Sequence, residues 1–307
     1  TYNGGIGRRK NAAARRDEDW GKMVARPAGK WYSYHVSLCG MAACDMFLKI
    51  ILYIIAGLGA GVATGFSGIS AAVIVTPILV TFCGFDAYEA TAIAMISDVI
   101  ASAATAVNFG RHGNVRFKTD TWILMGTILC FTMVGSWVAK YVPSPALGGI
   151  TIISSFLMGL KFLLFPQNNL NKLLGQQSRR EILVETTFVG MAIGAIAGFA
   201  GAGGGEMTLF ALTTILGYEI KEAVGTGVFI MTFIALVGGA SHMVGMGSLP
   251  DMTAMIICVA GNFFGAIVAS RIANRASARA LNRIIGWMLT ILGVIMIFSK
   301  FILGMGS

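Results

Sequence analysis

The sequence predicts an all-α polytopic membrane protein made of two inverted-topology repeats, each of about five helical segments, with broken helices at glycine-rich motifs. Three observations carry this expectation. Hydrophobic residues make up 56% of the chain and charged residues 12%, and the charges fall almost wholly between apolar segments. A soluble protein of 307 residues needs more charge to solvate its surface. The second observation is a repeat. The stretch Gly194–Phe210, GAIAGFAGAGGGEMTLF, returns in outline at Gly61–Pro77, GVATGFSGISAAVIVTP. At one constant offset of 133 positions, Gly57, Gly61, Gly65, Phe66 and Gly68 fall on Gly190, Gly194, Gly198, Phe199 and Gly201. Gly84-Phe85-Asp86 then meets Gly217-Tyr218-Glu219, and Glu89-Ala90 meets Glu222-Ala223. One fixed register that includes paired acids marks an internal repeat. The third observation is the sign of the loops, taken up after the segments themselves.

Residues 1–49 form a basic tail, with Arg8, Arg9, Lys10, Arg15 and Arg16 among its cations and Asp17, Glu18 and Asp19 among its acids. Attraction to anionic lipid accounts for it more simply than nucleic-acid binding. Trp31–Cys44 is semi-polar and aromatic. It reads as an interfacial helix, or as an extra crossing made costly by His35, Asp45 and Lys49. The first repeat, 50–165, opens with an apolar segment Ile50–Phe66. Its Gly57, Gly61 and Gly65 recur every four residues, placing a bare stripe on one helix face where another helix can approach closely. Ser67–Ser70 interrupts it and a second segment continues to Cys83. Both pieces fall short of the roughly 20 residues of a straight crossing, so they are tilted short spans or a helix-break-helix hairpin. Ala90–Asn108, Thr121–Lys140 and Ala146–Phe165 follow, the last two parted by Tyr141–Pro145. A polar connector spans 166–183. The second repeat, 184–307, supplies Val184–Ala200, Gly205–Leu216, Ala223–Val244, Asp251–Ser270 and Ile284–Leu303.

The basic loops Arg111–Lys118, Lys172–Arg180 and Arg271–Arg283 belong on the cytoplasmic side by the positive-inside rule, and the nearly uncharged Ser144 and Gly245–Leu249 regions on the other. Five crossings per half satisfy all five assignments. Because five is odd, the second repeat enters upside down, an arrangement common in secondary transporters. The scheme sets the chain before Ile50 outside, against the preference of the basic tail, and an eleventh crossing through Trp31–Lys49 is the alternative. The expected location is the cell (inner) membrane.

A broken membrane helix exposes N–H groups at its new start, and these need a partner in a protein-lined cavity. Gly203-Gly204-Gly205 lets a ligand reach the backbone, and the helix starting at Glu206 or Met207 offers a positive end. Its counterpart, Ser70-Ala71-Ala72, lacks the glycines. The two breaks together predict a central anion site, with the closest backbone approach expected from the second half. The candidate binding residues are Ser67, Gly68, Ser70, Gly201, Gly203, Gly204, Gly205, Thr208, Thr226, Asn108 and Ser241, with Thr76 a further hydroxyl in the wall. Each hydroxyl can equally satisfy a helix carbonyl. Three titratable residues are candidates for coupling or gating. Asp98 sits well inside its segment opposite Met231 of the other repeat, either as a proton-coupling group or as the partner of a cation such as Lys161. Glu206 caps its helix, protonates during transport, or turns away. His242 neutralises an anion, relays a proton, or is structural. The acids of CGFDAYEA and LGYEIKEA read as first-turn helix capping, and Lys221 as a local ion-pair partner. The five cysteines are scattered and read as small hydrophobic residues, and neither a metal nor a cofactor is expected.

The run Gly198-Phe199-Ala200-Gly201-Ala202-Gly203-Gly204-Gly205, followed by Glu222-Ala223-Val224-Gly225-Thr226-Gly227, resembles the TauE/SafE family of sulfite exporters. The resemblance spans about Ile50–Leu303. In the first half Gly68-Ile69-Ser70-Ala71-Ala72 departs from the family's glycine cluster, while Pro77 and Ala90-Thr91-Ala92 keep its outline. The resemblance implies a small-anion transporter, with sulfite, thiosulfate and organosulfonates as substrate classes. It leaves the direction of transport open. A passive anion channel is the alternative; a membrane enzyme and a structural adaptor find less support, since no nucleophile–base pair or cofactor fingerprint stands out. The expected partners are the anion, protons as a coupling ion, and anionic lipids at the basic loops, with monomer and homodimer both open.

Overall fold

The computed structural model of the protein describes residues 28–139, 141, 156, 160, 164, 179–201, 204–247 and 249–302, with residues 28–45 as backbone. Apart from Phe156, Leu160 and Leu164, the predicted segment Ala146–Phe165 lies outside the described residues, as do the prolines before it, most of the connector and Gly203. Contacts divide the chain between Lys49 and Ile50, and the unit from Ile50 onward is the one built below.

The described residues form helices and no sheet. In order these are α1 (Ala28–Ser67), α2 (Ala72–Cys83), α3 (Ala87–Arg111), α4 (Thr119–Ala139), α5 (Arg179–Ala200), α6 (Gly204–Thr214), α7 (Ile220–Met246), α8 (Met252–Arg275) and α9 (Ala278–Ile302). Six stretches are long and apolar enough to cross a membrane: Met46–Ser67, Ala87–Arg111, Thr119–Ala139, Arg180–Phe199, Ile220–Met246 and Met252–Arg275. The protein is therefore a multi-pass integral membrane protein. Its outer faces agree: Ile55, Val107, Trp137, Phe188, Phe264 and Val268 are all exposed, as lipid-facing side chains are.

α2 and α6 have 12 and 11 residues. At 1.5 Å per residue each reaches less than 20 Å, well short of a hydrocarbon core about 30 Å thick. Each folds back on the helix before it. Tyr53 of α1 packs edge-on against Phe85 just past α2, ring centroids 6.1 Å apart. Both short helices close the same way, on a left-handed glycine, Gly84 (φ 75°) or Gly217 (φ 65°). The next amide then returns to the helix, Phe85 N–H to the Leu79 carbonyl and Tyr218 N–H to that of Leu212. The sequence left short spans and hairpins open; the helix lengths favour hairpins.

The glycine stripes seat these hairpins. On α1, a Cβ at Gly57 would lie 2.8 Å from the Cys258 carbonyl, and Gly61 and Gly65 abut the carbonyls of Asn262 and Ala266 in the same way, all on α8. On α5, Gly194 and Gly198 abut the carbonyls of Ile128 and Thr132, on α4, and Gly190 meets Thr127. Each striped helix of one repeat thus packs on the fourth segment of the other. α3 and α7 run antiparallel across the middle. Gly225 abuts the Asn114 carbonyl at one end, Thr232 bonds Ser102 at 3.0 Å midway, and Gly239 meets Ile96 before Gly245 meets Tyr88 at the far end.

Helix starts follow the acids only in part. Asp86 caps α3 by accepting from Tyr88 N–H at 2.8 Å, and Asp251 caps α8 from Thr253 and Ala254. Glu89 accepts from the Asp251 amide at 2.9 Å, tying the starts of α3 and α8 together. Glu219 has no side-chain capping bond, Glu222 pairs with Arg116 at 3.4 Å, and Lys221 donates to the Asn274 carbonyl at 2.9 Å near the end of α8.

Close packing at the stripes fixes the outcome of substitution there. Gly61→Val and Gly194→Val should each lower stability by about 1–3 kcal/mol. Gly126→Val, on a face with nothing within 4 Å, should leave it nearly unchanged; thermal unfolding in detergent compares the three.

Candidate functional site

The two breaks meet near the middle of the spans. Gly68 and Gly201, which correspond in the repeat, both take the left-handed conformation (φ 70° and 64°) that turns α1 and α5 aside. The Ser70 hydroxyl oxygen lies 3.3 Å from the Gly201 carbonyl, and Gly205 lies against the Gly68 carbonyl so tightly that no side chain fits.

At the first break the start of α2 already holds a carboxyl group, and it belongs to the chain. Ala71 N–H donates to both carboxylate oxygens of Asp98, at 2.9 and 2.7 Å. The Ser70 hydroxyl donates to Oδ2 at 2.7 Å, and Thr64 and Asn262 approach Oδ1 at 3.4 Å. Asn262 also donates to the Ser97 hydroxyl at 3.0 Å, and Ser102 back-bonds to the Asp98 carbonyl. Thr64, Ser97, Asp98, Ser102 and Asn262 are all buried. A carboxylate takes the partial positive charge of a helix start and, with a hydroxyl, satisfies the donors that a mid-membrane start exposes.

The second break has the same backbone outline and different chemistry. The positions matching Thr64, Ser97, Asp98 and Ser102 are Ala197, Ile230, Met231 and Ala235. Met231 packs on Gly205, Gly204 packs on Ala197 and Ile234, and Gly201 on Thr91 and Met95. Glu206 is buried in the first turn of α6.

The remaining candidates divide clearly. Ser67 donates to the Ala63 carbonyl at 2.8 Å, Thr208 to that of Gly204 at 2.5 Å and Ser241 to that of Val237 at 2.7 Å, each the i−4 bond of a hydroxyl satisfying its own helix. Thr76 is part-buried on α2, its hydroxyl without a partner among the described residues. His242 is buried, with Nδ1 3.0 Å from the Gly238 carbonyl and its ring stacked on Tyr88 at 4.6 Å. Asn108 and Thr226 sit toward the basic-loop end. Asn108 donates to Ser270 at 2.8 Å. Thr226 both accepts from the Arg116 amide (3.0 Å) and donates to the Arg116 carbonyl (3.1 Å), so its hydroxyl buckles the α3–α4 loop onto α7. Nearby Tyr218, its phenol pushed up by burial, shares a 2.6 Å hydrogen bond with Thr121. Sequence reasoning singled out Asp98 but missed Thr64, Ser97 and Asn262. Their signal was polarity at positions where the other repeat is apolar.

Residues 53–296 match the family described as sulfite exporter TauE/SafE. The chain belongs to the TauE/SafE family. It is accordingly a membrane transporter of this small-anion exporter family. Two curated relatives from Bacillus subtilis (strain 168) resemble it over nearly all of their own length. One, the probable membrane transporter protein YdhB, is 21% identical over 257 residues, covering 82% of this chain and 100% of the relative. Another, the probable membrane transporter protein YunE, is 22% identical over 272 residues, covering 82% and 98%. No solved structure matches. The TauE/SafE match takes in both breaks, the Asp98 cluster and Asn262.

Two substitutions probe this architecture. Asp98→Leu strands the Ala71 amide and the Ser70 hydroxyl and should cost about 2–4 kcal/mol. Asp98→Asn keeps one acceptor oxygen and should cost about half as much, both read from unfolding in detergent. Thr226→Val should leave global stability within about 1 kcal/mol yet speed protease cleavage in the 112–118 loop, which limited proteolysis would detect.

Proposed function

We propose that this TauE/SafE protein carries a small sulfur-containing anion, such as sulfite, thiosulfate or an organosulfonate, by alternating access between two inverted repeats, with the anion held at the start of α2. The observation that carries the reading is the Asp98 carboxylate on the Ala71 amide and Ser70 hydroxyl. A sulfite or sulfonate group offers the same kind of charged oxygen acceptor, so Asp98 stands in for the substrate when none is bound. The antiparallel α3 and α7, and the exchange of glycine contacts between repeats, support the inverted arrangement.

The mechanism follows from competition for one set of donors. With Asp98 ionised, its charge occupies the α2 start and repels a second anion. Protonation removes that charge and weakens its claim on the amide, leaving the α2 start to the substrate. Binding of the anion and binding of a proton are thereby linked, and alternating access carries both. Gly68 and Gly201, free to change backbone angle, provide the pivots beside the site.

Flux of sulfite in proteoliposomes tests this. At clamped voltage, reversing the pH gradient should change wild-type flux several-fold, and Asp98→Asn should abolish that response while retaining some flux. Wild-type flux indifferent to the gradient rejects proton coupling, and flux far beyond a carrier's turnover marks a channel. On purified protein, a competition panel of sulfite, thiosulfate, sulfate, sulfoacetate and carboxylate analogues should show selective retention of at least one sulfur anion; folded protein that discriminates among none of them overturns the site.

A further inference from the structure

A groove of about 530 Å³ runs along the outer face of the bundle between α3 and α8, away from the breaks. Ala103, Val107, Phe263 and Ile267 supply apolar walls, while Arg111 and Arg271 lie at the basic-loop end. No acid lines the groove, and neither arginine has an acidic partner among the described residues. The Asn108–Ser270 hydrogen bond staples the two helices at that level, 2.8 Å long, so the arginines project from a fixed frame.

We infer that this groove binds an anionic phospholipid, its phosphate between Arg111 and Arg271 and an acyl chain along α3 and α8. Length argues for this occupant. The groove extends along α3 from Val99 to Arg111, about 18 Å of helix, close to the depth of one bilayer leaflet. Val107, among its wall residues, is 55% exposed, so the groove is open sideways to lipid. A lone phosphate or sulfate would use only its arginine end. A lipid uses both the charge and the apolar length, and guanidinium groups match phosphate oxygens in a two-pronged way that suits a headgroup. Basic residues at the membrane edge attract anionic lipid in any case; here the groove gives that attraction a defined seat.

The test uses the full chain. Purified protein is exchanged into phosphatidylcholine with and without phosphatidylglycerol, and retained lipid is measured by native mass spectrometry. Wild type should keep phosphatidylglycerol in preference to phosphatidylcholine. The double variant Arg111→Gln, Arg271→Gln should lose that preference by roughly ten- to thirtyfold, at about fivefold per arginine. Because a double variant can misfold, phosphatidylglycerol carrying a photoreactive group on its acyl chain is also crosslinked to wild type. Labelling within Val99–Val107 and Phe263–Ile267 supports the seat; labelling spread evenly over the outer helices overturns it. Displacement of the lipid by inorganic sulfate alone identifies a free-anion site and overturns it too, as does a second copy of the chain crosslinked across the same face.

Discussion

A helix that begins in the middle of a bilayer leaves N–H groups that no water can reach, and each one left unsatisfied there costs several kcal/mol. The start of α2 is such a point, and the Asp98 carboxylate satisfies it. A charged side chain at mid-membrane itself costs about 3 kcal/mol by insertion measurements. Hydrogen bonds to a charged group contribute roughly 1.5–3 kcal/mol apiece, so the Ala71 amide and the Ser70 hydroxyl together offset that cost. Around this one group the bundle is tied: Thr64 brings in α1, Ser70 and Ala71 bring in α2, and Asn262 brings in α8, all converging on α3. Remove the side chain and α1, α2 and α8 lose their common acceptor on α3.

The two breaks share a backbone plan and differ in what fills it. Left-handed glycines turn both chains aside at matching positions, and both short helices end on the same return hydrogen bond. Apart from Asn262, however, the polar cluster comes from the first repeat, and the counterparts of Thr64, Ser97, Asp98 and Ser102 are the apolar, buried Ala197, Ile230, Met231 and Ala235. In the proposed mechanism this asymmetry means one charged seat rather than two. The glycine-rich second break serves proximity: with no side chain at Gly205, the Gly68 carbonyl can lie directly against it.

Much of this was legible in the sequence because it rests on local chemistry. Apolar runs gave the spans, four-residue glycine spacing gave a packing stripe, and paired acids at one offset exposed the repeat. An acid inside a membrane segment drew attention to Asp98 for the sound reason that burying it needs a partner. What sequence could not provide was the identity of that partner. Lys161 was a natural guess, since opposite charges are the obvious match. Lys161 lies outside the described residues; the donors described around Asp98 include a backbone amide, which has no sequence signature, and Asn262, far along the chain. The triple-glycine break is expected to give the closest backbone approach to substrate; in the structure Gly205 lies against the Gly68 carbonyl. Ser67, Thr208 and Ser241 show the ambiguity of a membrane hydroxyl, since sequence cannot tell a ligand donor from one bonded to its own helix.

The reciprocal glycine contacts bear on how such a molecule can divide. Gly61 of the first repeat is seated on Asn262 of the second, and Gly194 of the second on Ile128 of the first. Like two hands with interlaced fingers, each repeat lends a long helix to the other's side. Pulling residues 50–165 away from 184–307 as whole blocks would break both seams at once. The seam that can open without tearing the stripes runs elsewhere: it leaves α1 with α8 on one side and α5 with α4 on the other. In the proposed alternating-access mechanism, therefore, the two sequence repeats are not the two moving units.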